Sequence, residues 1–273
     1  MLLNLIHVFI IVFYCFSVLG YFYDFIQNNQ KVNRWSFWLL SIVWILQVTF
    51  IILRMLEFDR LPLMTIFEGL FFYSWLLVTF SLVINHLFRV DFLVFFLNVI
   101  GFALMAISIF APAGDISPQL AELLIFELLV IHVVVVLLSY GSFTLSVSFS
   151  IMYIVQHQML KQKKWGKRLG RFDNLTKLER SSFIFTIIGF PLMLTGLILG
   201  IVYTWITFDS VPWFDPKVVT SFLVLLVYGG YLFQRVVRGV RGYNLALFNA
   251  GAFLVLLINY FLSNAFSDFH LWY

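Results

Sequence analysis

The sequence predicts an all-α integral membrane protein: an eight-transmembrane helix bundle whose two termini both lie outside the cell. Three observations predict this class. Of 273 residues, 62% are hydrophobic and only 11% are charged, which is too little charge to cover the surface of a water-soluble domain. Apolar runs able to cross a bilayer core of about 30 Å recur along the chain, without the alternating pattern of a barrel. The basic residues that flank these runs are divided unequally between two sides.

The apolar runs define a single transmembrane domain over residues 1–273. No polar cleavage region follows the first run, so it is interpreted as a retained span rather than a signal that is removed. The fifth run is too long for one crossing, and its helix is expected to project beyond the lipid. The single cysteine, Cys15, lies within the first span and is interpreted as a packing residue. The predicted spans lie near residues 2–23, 35–56, 65–87, 92–111, 121–157, 181–205, 218–236 and 243–265.

The Lys and Arg residues predict the orientation. The segments after spans 1, 3, 5 and 7 carry fourteen of the 17, and the other segments carry three. The richer side is expected to be cytoplasmic. Because topology explains the net charge of +4, no nucleic-acid partner is expected. The run KQKKWGKRLGR (161–171), within a basic cytoplasmic loop at 158–180, either serves topology and lipid head groups or forms a docking surface for a cytosolic partner.

Five histidines divide between the two sides of the predicted membrane. His86 and His157 lie at the cytoplasmic ends of spans 3 and 5, where a helix C-terminus favours an imidazole. His7, His132 and His270 belong to the outer half. His7 is interpreted as a bystander, with an alternative role as a ligand left open.

His132 lies inside the apolar run LLVIHVVVVLL, where an unpaired imidazole is costly. It should therefore face the bundle or a cavity, either as a hydrogen-bonded structural histidine or as a ligand. Polar residues recur below it at three- and four-residue spacing and predict a seam for helix packing. They are Ser139, Ser142, Ser146, Ser150 and Tyr153.

The chain ends in FHLWY (269–273), which is too apolar for a tail in water and is expected to fold over the outer face. His132 and His270 could then grip a flat ligand from opposite sides, as low-spin haem iron accepts. The predicted cofactor is non-covalent haem b, with both histidines as axial ligands. The candidates for pairing with its propionates are the three outer cations, Arg54, Arg60 and Lys217. The candidate aromatic walls are Tyr203, Trp205, Phe208, Trp213, Phe214 and Trp272.

Other polar residues have simpler interpretations. Glu68 is expected to be protonated, to pair with Arg54 or Arg60, or to bind the second ring nitrogen of a histidine that ligates the cofactor. Asp215 precedes Pro216 and fits a helix N-cap. A polar line in span 8 is expected to hold helices together. That line consists of Asn249, Asn259 and Asn264.

Four segments together resemble the CcsA/CcmC superfamily of cytochrome c assembly proteins, over about residues 60–273. RLPLMTIFEGLFFYSW (60–75) resembles the family's Pro…Tyr-Glu-Ser…Ser-Trp stretch, and HVVVVLLSYGSF (132–143) its segment that starts with the first outer histidine. The segment 189–232, which contains VPWFDPK, resembles the tryptophan-rich region that closes with Trp-Asp-Pro-Lys. FHLWY resembles the family's C-terminal Leu-His-Ser-Tyr, which holds the second histidine. The resemblance implies a haem-handling protein with a WWD-like outer loop.

Two departures modify this expectation. Tyr203, Phe208, Pro212 and Phe214 stand where the family loop has tryptophans, so the WWD-like loop is reduced. Phe233 stands in a Tyr-Leu-Phe sequence where assembly members have Tyr-Leu-His, and phenylalanine cannot ligate iron. A membrane relay of haem is therefore not expected. The retained outer histidine pair favours holding haem over passing it on.

Within the superfamily, the basic loop, the RVDFLVFF start of span 4 and the C-terminus most resemble the Bacillus-type membrane proteins encoded with early haem-biosynthesis enzymes. That resemblance implies a bacterial cell-membrane protein that regulates haem biosynthesis, through the abundance of glutamyl-tRNA reductase, or chaperones haem. The alternatives are a haem exporter or cytochrome c assembly component, and a haem-free scaffold for a biosynthetic enzyme. No Ser-His-acid set, phosphate-binding glycine loop, CxxC or HExxH occurs in the sequence, so an enzyme is not expected.

Overall fold

The computed structural model is built from α-helices throughout the residues that it describes. These residues are 2–27, 29–58, 60–63, 65–88, 91–111, 127–163 and 174–262. In chain order the helices are α1 (Leu2–Gln27), α2 (Gln30–Phe58), α3 (Ile66–Phe88), α4 (Asp91–Ser108), α5 (Glu127–Lys161), α6 (Leu175–Phe208), α7 (Pro216–Val236) and α8 (Tyr243–Leu257), which continues as a π-helical turn at Ile258–Leu262. Each predicted apolar run overlaps one of these helices within the described residues.

Seven of the helices are long and apolar enough to cross a membrane, and the chain is a multi-pass membrane protein. The apolar part of α4, Leu93–Ser108, is shorter than the rest. The number of eight crossings and the outward position of both termini therefore stay predictions. The excess length of span 5 is confirmed, because α5 is one helix of 35 residues. Its length of about 52 Å exceeds a bilayer core of about 30 Å.

The described helices separate into two compact units. Unit 1 comprises the described residues up to 111, with α1 to α4, and unit 2 comprises those from 127 onwards, with α5 to α8. In unit 1 each helix runs antiparallel to the next. Trp44 of α2 donates its indole N–H to Thr79 of α3 at 2.9 Å, and Ser74 of α3 donates to the carbonyl of Gly101 in α4 at 2.9 Å. Fully buried core residues of this unit include Ile10, Tyr14, Leu40, Val43, Leu77 and Leu97.

In unit 2, α5 and α6 pack closely along an antiparallel seam because glycines of α6 face large side chains of α5. A Cβ atom placed on Gly189 would lie 2.9 Å from the Phe143 ring, and one on Gly196 would lie 2.5 Å from Val136. Small residues of this kind let helix backbones approach in a membrane.

The predicted polar seam of α5 packs against α6 and α8. Ser139 donates to the carbonyl of Gly189 at 2.8 Å. Below it the fully buried Asn249 of α8 places its amide nitrogen 2.8 Å from Ser146, 2.8 Å from Ser150 and 3.0 Å from Ser182. These bonds join three helices, and they confirm the interpretation of the seam and of Asn249 as helix contacts. Asn264 lies outside the described residues.

A tight turn connects α6 to α7. Asp209 ends α6 in the left-handed conformation, with φ of 51°. The backbone N–H of Trp213 then donates to the carbonyl of Val211 at 2.9 Å. Asp215 accepts the backbone N–H of Lys217 at 2.8 Å, which confirms the predicted N-cap.

Candidate functional site

The candidate site in unit 2 is centred on His132, the sixth residue of α5. The ring lies on α6 at a Gly-x-x-x-Gly step formed by Gly196 and Gly200. A Cβ atom on Gly200 would come within 2.8 Å of the imidazole Cε1, so only glycine leaves room for the ring in this position. The side chain therefore faces a neighbouring helix, as the sequence predicts.

One hydrogen bond fixes the protonation of this imidazole. His132 Nδ1 lies 2.7 Å from the carbonyl oxygen of Gly196. Because a carbonyl oxygen only accepts, Nδ1 carries the proton and donates it. The neutral ring then holds its lone pair on Nε2, and Nε2 has no hydrogen-bond partner among the described residues. A partly buried, oriented imidazole with a free Nε2 has the form of a metal ligand.

Lys217 lies near the same end of unit 2. Its ammonium donates to the carbonyl of Asn259 in the π-helical turn at 2.9 Å, and it lies within electrostatic range of the His132 ring. The register of α5 against α7 also places Lys217 near His132. Phe143 of α5 stacks on Tyr228 of α7 at 3.7 Å, 85 positions later in the chain, and Lys217 likewise follows His132 by 85 positions.

The π-helical turn at the end of α8 is anchored to the same part of the unit. Asn259 accepts a hydrogen bond from Tyr140 of α5 at 3.0 Å and donates to Ser221 of α7 at 3.0 Å. The ring of Tyr260 also meets that of Tyr140 edge to face at 5.6 Å. This turn confirms the helix-joining role predicted for Asn259.

The candidate aromatic walls have unequal surroundings. Tyr203 is buried in α6. Trp205, Phe208 and Trp213 are about half exposed, and Phe214 is 96% exposed at the tip of the turn. Of the described candidates, only Tyr203 is therefore buried within unit 2, while the others form an aromatic rim at the end of α6 and in the turn that follows it. His270 and Trp272 lie outside the described residues, so the pairing of His132 with His270 stays a prediction.

The two candidate arginines lie in unit 1, where both pair with Glu68. Arg54 Nε lies 2.9 Å from Glu68 Oε1, and Arg60 approaches both carboxylate oxygens at 3.0 and 3.2 Å. Glu68 also accepts the backbone N–H of Thr65 at 3.2 Å, while Thr65 Oγ1 accepts that of Glu68 at 3.1 Å, which is a capping box at the start of α3. Of the alternatives for Glu68, the structure shows the pairing with both arginines.

His7 and His157 differ from His132 in their surroundings. His7 is surrounded by Phe50, Phe67 and Phe71, with ring centroids 5.2–6.2 Å away. His157 stacks on aromatic rings at the opposite end of α5 from His132. His86 lies in α3.

Sequence reasoning missed the partners of His132. The Gly196–Gly200 pair is a recognisable small-residue motif in an apolar helix, and this motif could have indicated where the imidazole lies. The bond from Lys217 to the Asn259 carbonyl had no sequence signal, because it depends on a π-helical turn that local composition does not predict.

The amino-acid sequence is similar to known proteins over most of its length. Residues 63–270 match the family model of the cytochrome c assembly protein. Protein HemX of Bacillus subtilis (strain 168) is 47% identical over 260 residues, covering 95% of this chain and 94% of the relative. Protein HemX of Brevibacillus brevis is 42% identical and covers 95% of each chain. The cytochrome c biogenesis protein CcsA of Prochlorococcus marinus (strain MIT 9215) is 28% identical and covers 89% of each.

These matches extend over nearly the whole chain and confirm both resemblances found in the sequence. The chain therefore belongs to the cytochrome c assembly protein family, and within that family to the HemX proteins.

Proposed function

We propose that this chain binds non-covalent haem b at the outer end of unit 2, with His132 and His270 as the axial ligands. One observation carries the proposal: His132 gives its Nδ1–H to the Gly196 carbonyl at 2.7 Å and keeps Nε2 available. Histidines that bind metals usually donate their other N–H to such an acceptor, which fixes the ring and strengthens the ligand. The haem would supply an iron with two axial positions, which neutral imidazoles fill well.

The surroundings of His132 fit the rest of the cofactor. Lys217 is a cation within electrostatic range of the ring, and only one acceptor, the Asn259 carbonyl, binds its ammonium among the described residues. It is the cation that we favour as the propionate partner, while Arg54 and Arg60 stay candidates from the sequence. The proposed walls are the buried Tyr203 and the aromatic rim that ends α6, with Trp272.

Chain length allows His270 to reach this end. The anchored Asn259 lies beside Tyr140, and Tyr140 is eight residues, or about 12 Å of helix, from His132. His270 follows Leu262, the last residue of the π-helical turn, by eight residues, which span at most about 28 Å. The second ligand is therefore within reach without any movement of α8.

We propose a non-enzymatic role for the bound haem, in regulating haem biosynthesis through the abundance of glutamyl-tRNA reductase or in chaperoning haem. The role is the one that the resemblance to the Bacillus-type proteins implies, and the chain is 47% and 42% identical to two relatives named HemX. The proposed topology has eight crossings with both termini outside, so the basic segment 158–180, which includes the end of α5 and the start of α6, meets the cytoplasm. Reversing the charges across 161–171 should abolish regulation while haem binding survives. Loss of regulation and haem binding together would contradict the assignment of these two properties to separate parts of the protein.

A haem exporter or cytochrome c assembly component is the second candidate, favoured by the similarity to CcsA proteins. Phe233 opposes it, since this side chain is half exposed on α7 and has no atom that binds iron. Haem flux into proteoliposomes separates transport from regulation. The third candidate, a haem-free scaffold for a biosynthetic enzyme, predicts a colourless protein even after haem is added.

The absorption spectrum of the purified full-length protein is the first test. The proposal predicts a Soret band and a sharp α band typical of two histidine ligands, which both disappear in His132→Ala and in His270→Ala. His157→Ala is the matched control, because this histidine lies on the same helix at its other end. Unchanged spectra in both ligand variants would refute the proposed site.

A further inference from the structure

The end of unit 2 that joins α7 to α8 carries positive charge that the described residues do not neutralise. Segment 158–180 contains eight Lys and Arg residues and segment 234–243 contains three, against two carboxylates, those of Asp173 and Glu179. Glu179 pairs with Arg235 at 2.6 Å. The two arginines of the connection itself, 238 and 241, are exposed and make no ion pair in the part of the chain that the structure describes.

The turn that ends α7 determines the position of Arg238. The backbone N–H of Arg238 donates to the Phe233 carbonyl at 3.2 Å. The N–H of Val240 donates to the Gln234 carbonyl at 3.0 Å, and Gly239 between them is left-handed, with φ of 64°. This is the Schellman way of ending a helix, which favours glycine at that position. The Arg238 guanidinium lies over the Phe233 ring at 5.5 Å, so its charge lies on the same side of α7 as that ring.

That side of α7 is apolar and faces outward along the whole helix. Its side chains recur at three- and four-residue spacing and therefore share one helical face. In a membrane protein, such a face meets the acyl chains of the lipid. Its exposed members are Val219, Phe222, Leu223, Leu226, Phe233, Val236 and Val237.

Two glycines form a shallow groove in this face. A Cβ atom on Gly229 would lie 3.5 Å from the Phe190 ring of α6, and one on Gly230 would lie 3.7 Å from the Phe248 ring of α8. The two rings therefore border a groove whose base is the α7 backbone. Gly230 precedes Arg238 by eight residues, about 12 Å along the helix axis, which is within the thickness of about 15 Å of half a bilayer core.

From the unpaired charge, the aromatic ring beneath it and the apolar groove, we infer that this side of α7 is a binding site for an anionic phospholipid. The head-group phosphate accepts hydrogen bonds from Arg238, whose planar guanidinium suits phosphate oxygens. An acyl chain lies over Gly229 and Gly230. Phe233, which has no atom that binds iron, is a positioning residue that holds the guanidinium at the apolar border.

The test uses the full-length protein, prepared without added haem, in nanodiscs of equal parts phosphatidylglycerol and phosphatidylcholine. Native mass spectrometry measures the ratio of the two lipids among those that stay bound as the collision energy rises. Phosphatidylglycerol should be enriched on the natural protein, and Arg238→Gln should reduce the enrichment about tenfold, because a charge-assisted hydrogen bond is lost. Phe233→Leu should reduce it about threefold.

The matched control is Arg180→Gln. It removes the same charge from an exposed arginine at the same end of unit 2, next to Glu179. The enrichment should change by less than about twofold in this variant, because general attraction to a basic surface is not what selects the lipid.

Gly230→Leu tests the groove without altering any charge. The new side chain would fill the groove on a face that meets lipid, so the protein should fold while the retained phosphatidylglycerol falls about fivefold. Gly251→Leu is the control, because Gly251 is exposed on α8 and a Cβ there meets no atom within 4 Å. This variant should retain the lipid.

Equal retention of the two lipids, equal losses in Arg238→Gln and Arg180→Gln, or an unchanged ratio in Gly230→Leu would each overturn the inference. Displacement of the lipid by inorganic phosphate alone would also overturn it, since the ligand would then be a soluble anion. Displacement by polyglutamate would do the same by assigning the surface to an acidic protein. Because no haem is present, the experiment succeeds or fails independently of the proposed site at His132.

Discussion

The two units each carry a histidine as the sixth residue of their first helix, His7 in α1 and His132 in α5, but the protein holds the two rings in opposite ways. His132 donates from Nδ1 to a backbone carbonyl and leaves Nε2 free. At His7 the bonded nitrogen is Nε2, which lies 3.4 Å from Ser108 Oγ. The single hydroxyl proton of Ser108 goes to the Met105 carbonyl at 2.7 Å, so His7 must donate to Ser108 and keep its lone pair on Nδ1.

This difference determines which histidine suits a bulky ligand. Nδ1 is the ring nitrogen next to the Cβ attachment and its own backbone, whereas Nε2 points away from both. Phenylalanines surround His7, while a glycine step lies under His132. A similar position in the helix therefore does not give a similar function. The neighbour that takes the ring proton decides the role.

The largest expected effect tests this contrast directly. His132→Ala should abolish the haem spectrum, because it removes an axial ligand, whereas His7→Ala should leave the spectrum unchanged. Titration of each purified variant with haem, followed in the Soret region, makes the measurement. Loss of haem in His7→Ala with retention in His132→Ala would reverse the comparison.

The next effect concerns the glycine step. A methyl group on Gly200 would lie 2.8 Å from the His132 ring, so Gly200→Ala should displace the imidazole and weaken haem binding by about 10- to 100-fold. Gly251→Ala is the matched control, because a Cβ there meets no atom within 4 Å. The dissociation constants of the two variants for haem provide the comparison. Equal constants would show that the step does not orient the ring.

A smaller effect is expected at Lys217. Lys217→Met should weaken haem binding by about tenfold, since a charge-assisted contact with a propionate would be lost. The same substitution should have almost no effect on binding of haem dimethyl ester, which lacks the carboxylates. Comparing both proteins with both ligands isolates the interaction between Lys217 and a propionate. An equal loss with both ligands would assign Lys217 a purely structural role, through the Asn259 carbonyl.

The smallest effect concerns stability. Asn249→Leu removes the amide that meets three hydroxyl groups in unit 2, and it should lower the free energy of unfolding by about 1–2 kcal/mol, given about 0.6 kcal/mol for a typical hydrogen bond between membrane helices. Thermal unfolding in detergent measures this change. Asn98→Leu in unit 1, where Asn98 bonds to Ser81 and to the Val94 carbonyl, should behave similarly. No change in unit 2 would mean that its hydroxyl groups satisfy one another without the amide.

Much of the fold could be predicted because a bilayer requires long apolar helices, and such helices are visible in the sequence as apolar runs. Each apolar run became a helix, and the length of α5 followed from the length of its run. The seam of serines on α5 was visible because contacts between neighbouring helices follow the helical period. The two compact units were not predicted, since the separation depends on which helices meet rather than on any local pattern.

The site was less predictable because its chemistry depends on contacts distant in sequence. His132 was found from the cost of an imidazole in an apolar run, but its hydrogen bond to Gly196, 64 residues away, has no local signal. Arg54, Arg60 and Lys217 looked equivalent as outer cations. Packing gives the arginines a carboxylate in unit 1, while Lys217 has a backbone carbonyl and lies near the imidazole in unit 2.

Chemical rescue tests the central claim, that Nε2 of His132 binds the iron, most directly. His132→Gly opens a space the size of the imidazole, and added imidazole can occupy it. The account predicts that this variant loses the spectrum of two histidine ligands and regains it when millimolar imidazole is supplied. An unaltered spectrum in His132→Gly before any imidazole is added would contradict the account.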